Sequence, residues 1–327
     1  MKKSISIIIA AILVVCCLSA CAGRNVSDSP KSNTIQIVTT IFPEYDWVEN
    51  ILGDNPANAE VTMLLDNGVD LHSYQPTADD ILKIATCDLF IYVGGESDKW
   101  VEDALAEATN KNMIVMNLLD VLGDNVKKEE VKEGMEAEEE ESEEEEEGPE
   151  YDEHVWLSLK NAQILMSAIA DDLVKIDSEN AAVYTANANA YNEELAALDS
   201  EYQSVVDTAS IDTLLFGDRF PFRYLVDDYG LDYFAAFVGC SAETEASFET
   251  IVFLANKVDE LSLHTIMTIE GTDHRIAETI RDNTAAKDQQ ILTLDSMQST
   301  NSRDVANGTT YLSIMEDNLE VLKSALQ

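Results

Sequence analysis

From Ser178 to Asp207 the chain reads SENAAVYTANANAYNEELAALDSEYQSVVD, and this run decides how everything on either side of it must be arranged. Tyr184, Ala188, Tyr191, Leu195, Leu198, Tyr202 and Val205 recur at alternating four- and three-residue steps, which places one apolar stripe along a helix. Neither proline nor glycine interrupts it. At 1.5 Å per residue about 28 residues make a rod of roughly 42 Å, enough to run the length of a two-lobed body. A coiled-coil partner would fit the same stripe, but packing against the chain's own lobes is the simpler reading.

Working outward toward the N-terminus, TIQIVTTIFP, AEVTMLL, DLFIYVGG and MIVMNLLD read as strands, and YDWVENILGD, ADDILKIATC and WVEDALAEA as the helices between them. Thr77 is placed to cap the second of these helices. Toward the C-terminus the alternation returns, with strands DTLLFGD, LDYFAAFV, HTIMTIE and QQILTLDS and helices FRYLVDDYG, FETIVFLANKVDEL, RIAETIRDNT and YLSIMEDNLEVLKSALQ. Strands separated by short helices imply mainly parallel sheets with both faces covered. The expected fold is therefore α/β, with two lobes, each a mainly parallel sheet flanked by helices, joined by one long helix. The expected division is an N-terminal lobe over 34–177, the linking helix over 178–207 and a C-terminal lobe over 208–327. The run from Lys127 to Glu150 has few large apolar residues and is expected to be a disordered acidic loop.

The opening MKKSISIIIAAILVVCCLSAC has the pattern of an export signal over residues 1–20, with Lys2 and Lys3 ahead of a short apolar run. Ser19 and Ala20 before Cys21 resemble a lipobox, so Cys21 is expected to carry the lipid and to anchor the protein on the extracytoplasmic face of the cell membrane. Residues 21–33 are polar and rich in turn formers, as a flexible tether requires. Two cysteines remain beyond this region, Cys87 and Cys240. Both read as small buried or unpaired groups, and their spacing supports no disulfide. A formal net charge of -43 excludes nucleic acid as a partner.

Ligands in open α/β sheets bind beyond the carboxyl ends of the strands. His72 falls in a loop after the second strand, His154 in a loop before a helix, and Asp295 at the end of the last strand. Two imidazoles and a carboxylate meeting there would suit a borderline-soft divalent cation. His264 reads as a connector, and His274 as a helix-cap residue.

The segments GVDLHSYQPTADDI, YDEHVWLSLKNA and LTLDSM resemble the metal-binding proteins of zinc and manganese ABC transporters, the TroA-like group of two lobes joined by one rigid helix. The resemblance covers nearly everything after the tether. It implies a monomeric protein, not an enzyme, that captures zinc, with manganese as second choice, through His72, His154 and Asp295, and hands it to an ABC permease. In that group a further histidine or glutamate follows the first strand of the second lobe. Here the region is LLFGDRFPFRYLVDDYGL, where Arg219 cannot ligate because its guanidinium stays protonated. Asp218 is the natural substitute, with Glu44, Glu270, His274 or water as alternatives. Neutral imidazoles imply that affinity falls as pH drops through the histidine range.

Zinc-handling members of that group carry a histidine-rich loop where this chain carries its glutamates, so the tract is expected to gather cations by Coulomb attraction. Rival readings are a metal-dependent hydrolase and a surface adhesin stapled by metal. The hydrolase lacks an HExxH helix, a GxSxG elbow and a Gly-rich phosphate cradle.

Overall fold

The expected rod is a helix over Ala181–Asp207, and Tyr184, Ala188, Tyr191, Leu195, Leu198 and Tyr202 are its buried residues. The computed structural model describes residues 34–136, 151–241, 245–271 and 273–327. The expected signal, Cys21, the tether and the glutamate tract from 137 to 150 lie outside the described residues. Ile35–Gln327 forms one unit.

Among the described residues eight strands form where alternation of apolar runs and helices places them: β1 Gln36–Thr39, β2 Glu60–Met63, β3 Leu89–Tyr92 and β4 Ile114–Asn117, then β5 Thr213–Phe220, β6 Asp232–Val238, β7 Thr265–Ile269 and β8 Gln290–Leu294. They build two four-stranded sheets, ordered β2-β1-β3-β4 and β6-β5-β7-β8, with every pairing parallel. The two sheets share one winding order, so β2 and β6 occupy equivalent places in their lobes.

The helices are α1 Phe42–Leu52, α2 Ala78–Thr86, α3 Trp100–Ala106, α4 Leu118–Leu122, α5 Leu159–Ile176, α6 Ala181–Asp207, α7 Arg223–Tyr229, α8 Phe248–Leu261, α9 Arg275–Asn283, α10 Ser302–Ala306 and α11 Tyr311–Ala325. Pro43 begins α1 rather than ending β1, because proline suits the first helical turn. Thr77 caps α2 as expected, accepting from Asp80 N.

A stripe of aromatic and aliphatic residues on α6 is buried in the same core that contains both sheets. Its tyrosines also satisfy their hydroxyls: Tyr191 donates to Asp46 of α1 (3.0 Å) and Tyr202 to the Met315 carbonyl of α11 (2.6 Å). The helix is thus fastened near its middle to α1 and toward its C-terminal end to the last helix.

The expected disordered span begins too early. Residues 127–136 form a strap on the second lobe, where Glu136 N donates to Ala236 O (2.9 Å) beside β6 and Lys132 pairs with Asp232. Lys127 N donates to the Tyr224 hydroxyl (3.0 Å), and Met135 packs against the core. This front part carries three lysines and two apolar side chains, which composition averaged over the whole acidic run conceals.

Candidate metal centre

His72 sits in a single turn, Leu71–Ser73, shortly after β2. Asp70 caps that turn by accepting from His72 N (3.0 Å). The His72 ring places Nδ1 2.7 Å from Ser97 Oγ and 3.5 Å from Glu153 Oε2, leaving Nε2 to face the gap between the lobes. His154 is fully buried at the start of the turn Val155–Leu157. Asp152 accepts from its backbone N (2.9 Å) and lies 3.0 Å from Nδ1, which fixes the proton on that nitrogen and frees Nε2.

The two free Nε2 atoms stand 3.2 Å apart. Two imidazole nitrogens bound to one tetrahedral zinc lie about 3.3 Å from each other. Without a cation the two atoms share a proton, with His154 the better holder and His72 the acceptor, and a divalent ion takes that proton's place. Burial, and then the facing His154 ring, hold His72 down at about 3. Burial also pulls His154 down, but the carboxylates of Asp152, Glu153 and Asp70 outweigh it and raise that ring above its usual range.

A third group completes the cluster. Cys240, just past β6, brings its thiol so close that the ligand atoms of His72, His154 and Cys240 all lie within 4.8 Å of one another. Its backbone N donates to Glu129 Oε1 (3.2 Å) on the strap. Burial, then the Asp152 and Glu129 carboxylates, push its thiol well above the usual range, which favours the protonated thiol. Gly239 makes room for the neighbouring ring, since a Cβ there would come within 3.1 Å of His154 Cε1.

The sequence-based ligand set is therefore only partly assembled. Asp218 and Asp295 stand outside the 4.8 Å cluster. The register of β5 against β6 shifts between Phe216 and Arg219, a bulge that turns Asp218 inward. Its Oδ2 accepts from Ile269 N on β7 (3.3 Å), so the carboxylate ties the sheet together. Asp295 closes its own turn by accepting from Met297 N (2.7 Å), while Asn318 of α11 grips its backbone on both sides. Burial, then Glu270, push the Asp295 carboxyl up to about 7.

The alternatives are occupied too. Glu44 Oε2 accepts from Thr40 N and Ile41 N at the start of α1, and Glu270 accepts from Ser296 N and Gln298 N. His274 precedes α9 in a left-handed conformation.

Arg219, which the bulge aims into the gap, spans it. Its Nη2 donates to Asp70 Oδ2 (2.5 Å) beside His72, and Nη1 to Ser241 O (3.3 Å) beside Cys240. Sequence reading missed Cys240 because a lone cysteine after an apolar strand looks like a small core residue. The signal was its place at a strand's carboxyl end, equivalent in the second sheet to the end that precedes His72.

The family described as ZnuA, zinc-uptake complex component A, periplasmic, matches residues 37–325. The chain belongs to the ZnuA family. Relatives in that family include the zinc-binding lipoprotein AdcA of Streptococcus pneumoniae serotype 4, 30% identical over 98% of this chain. The match covers 60% of that relative, so the chain spans about three fifths of AdcA. The high-affinity zinc uptake system protein ZnuA of Bacillus subtilis is 29% identical over 98% of this chain and 96% of its own length. Among solved structures, the Zn(II)-bound ZnuA-like domain of Streptococcus pneumoniae AdcA aligns with a TM-score of 0.69 at 27% identity, covering 90% of this chain and 99% of that domain. The ZnuA-like, TroA-like fold expected from sequence is thus the fold observed.

Proposed function

We propose that this chain is the zinc-capturing component of an ABC importer, held on the extracytoplasmic face of the membrane by lipid on Cys21. Zinc is its cargo, not a resident cofactor, and the protein performs no covalent chemistry. The observation that carries this reading is the buried His154 ring and the half-buried His72 ring, whose Nε2 atoms face each other at 3.2 Å in the interlobe gap. Membership of a zinc-uptake family supports it. His72 and His154 bind the ion, while Ser97 and Asp152 orient their rings. The protein acts as a monomer and hands zinc to a membrane permease.

Metal analysis of the purified protein tests the reading, together with zinc and manganese competition. Zinc is expected at one ion per chain, and His72→Ala and His154→Ala are each expected to abolish tight uptake. A wild-type protein that takes up no transition ion at equilibrium dialysis overturns the proposal. Complementation of a zinc-uptake-deficient strain, lost in the same variants, separates delivery from mere storage.

A further inference from the structure

We infer that Cys240 is the third protein ligand of the cargo ion, giving a His2Cys centre that spans the two lobes. The inference rests on the zinc-capture reading and names the residue of the second lobe that the ion engages. Three observations carry it.

The first is geometric. In a tetrahedral zinc site a thiolate sulfur bound at 2.3 Å lies about 3.6 Å from each bound imidazole nitrogen. The Cys240 sulfur already lies within 4.8 Å of a ring nitrogen of each histidine, so a shift on the order of 1 Å closes the shell. The second is that among the described residues no carboxylate joins this cluster, and those expected from sequence are engaged elsewhere: Asp218 with Ile269 N and Asp295 with Met297 N. The third is placement. Cys240 follows β6 and His72 follows β2, the matching strands of two sheets with one winding order, so both sit where such sheets bind ligands. Arg219 and Glu129 hold the Cys240 backbone turn from both sides, by way of Ser241 O and Cys240 N.

On binding, the Zn–S bond forms as the S–H proton leaves to solvent, the Nε2 proton of a charged His154 leaves with it, and no oxidant or reductant takes part. The two imidazoles bind as neutral rings. A fourth position stays available for water or for a group of the permease. A thiolate in the shell favours zinc over manganese, because manganese prefers oxygen donors.

Cobalt(II) substitution of the full-length chain in detergent tests the inference, because a thiolate ligand adds a sulfur-to-cobalt charge-transfer band in the near ultraviolet that imidazole and carboxylate do not. Wild type is expected to show the band together with visible ligand-field absorption. Cys240→Ser is expected to lose the band and keep the ligand-field absorption, while Asp295→Asn keeps both. A band that persists undiminished in Cys240→Ser, or is absent from a wild type that binds cobalt, overturns the inference and leaves the zinc-capture reading standing. A wild type that binds neither cobalt nor zinc sinks the underlying reading and the inference with it. An independent arm uses wild type alone: iodoacetamide labelling, mapped by peptide mass, is expected to be suppressed at Cys240 by zinc. Labelling at an equal rate with and without zinc overturns the assignment.

Discussion

At the scale of single residues, the candidate site depends on groups that orient its rings. Asp152 holds both the backbone and Nδ1 of His154 with one oxygen, so its loss frees the ring to turn and to move its proton. Asp152→Ala is expected to weaken zinc binding roughly 10- to 100-fold with the fold intact, as removal of such orienting partners does elsewhere. Competition against a fluorescent zinc chelator checks it. Cys240→Asp replaces a soft donor by a hard one and is expected to move preference from zinc toward manganese in paired competition titrations. The histidines were legible because the chain has only four, and His72 and His154 fall in loops beside Asp70 and Asp152. Cys240 was not, and neither was the exchange of roles at Asp218 and Arg219. The β5 register shifts between Phe216 and Arg219, and nothing in the local pattern of apolar residues announces it.

At the scale of elements, the strands and most helices were readable because apolar runs in a parallel sheet are buried on both faces, as in β7, where every residue is buried. The strap over 127–136 was hidden by its composition. It meets the site through Tyr224 of α7, whose hydroxyl accepts from Lys127 N and donates to the Asp152 carbonyl (2.7 Å). Tyr224→Phe leaves both buried partners unsatisfied and is expected to cost about 1–3 kcal/mol in chemical denaturation. Another element-scale effect lies at α1. Glu44 is fully buried, and burial raises its carboxyl to about 8 against Thr40 and Ile41 hydrogen bonds that lower it. A raised acid supports the fold fully below its unfolded value near 4.5 and loses that support as pH climbs toward 8. Glu44→Gln carries no such loss. The difference in stability is expected to move in favour of the variant by up to about 1.4 kcal/mol per pH unit across that window. Denaturation midpoints at several pH values measure it, and a difference that stays flat with pH contradicts the assignment.

At the scale of the whole molecule, the lobes are tied at many points away from the ion. Trp156 Nε1 donates to Ser296 O (2.9 Å), Tyr311 donates to the Trp156 carbonyl (2.6 Å), and Ser158 donates to Asp228 Oδ2 (2.5 Å). These ties and those of α6 to α1 and α11 join the lobes independently of any ion. The expectation that the glutamate tract gathers cations is tested by its effect on association rate. Glu138–Glu147 contributes nine carboxylates, and its ends join the strap that carries Glu129 beside Cys240 on one side and the loop with Asp152 and His154 on the other. A dense negative segment raises the local concentration of divalent cations within about one Debye length, which is ~8 Å at physiological salt and ~3 Å at 1 M. Deleting Glu138–Glu147 is therefore expected to slow zinc association at low ionic strength and to leave the equilibrium affinity of the inner site nearly unchanged. At 1 M salt the rates of the two forms should converge, because the field that distinguishes them is screened. Stopped-flow association at two salt concentrations reads both effects, and a deletion that lowers equilibrium affinity as steeply as His154→Ala would put the tract inside the site.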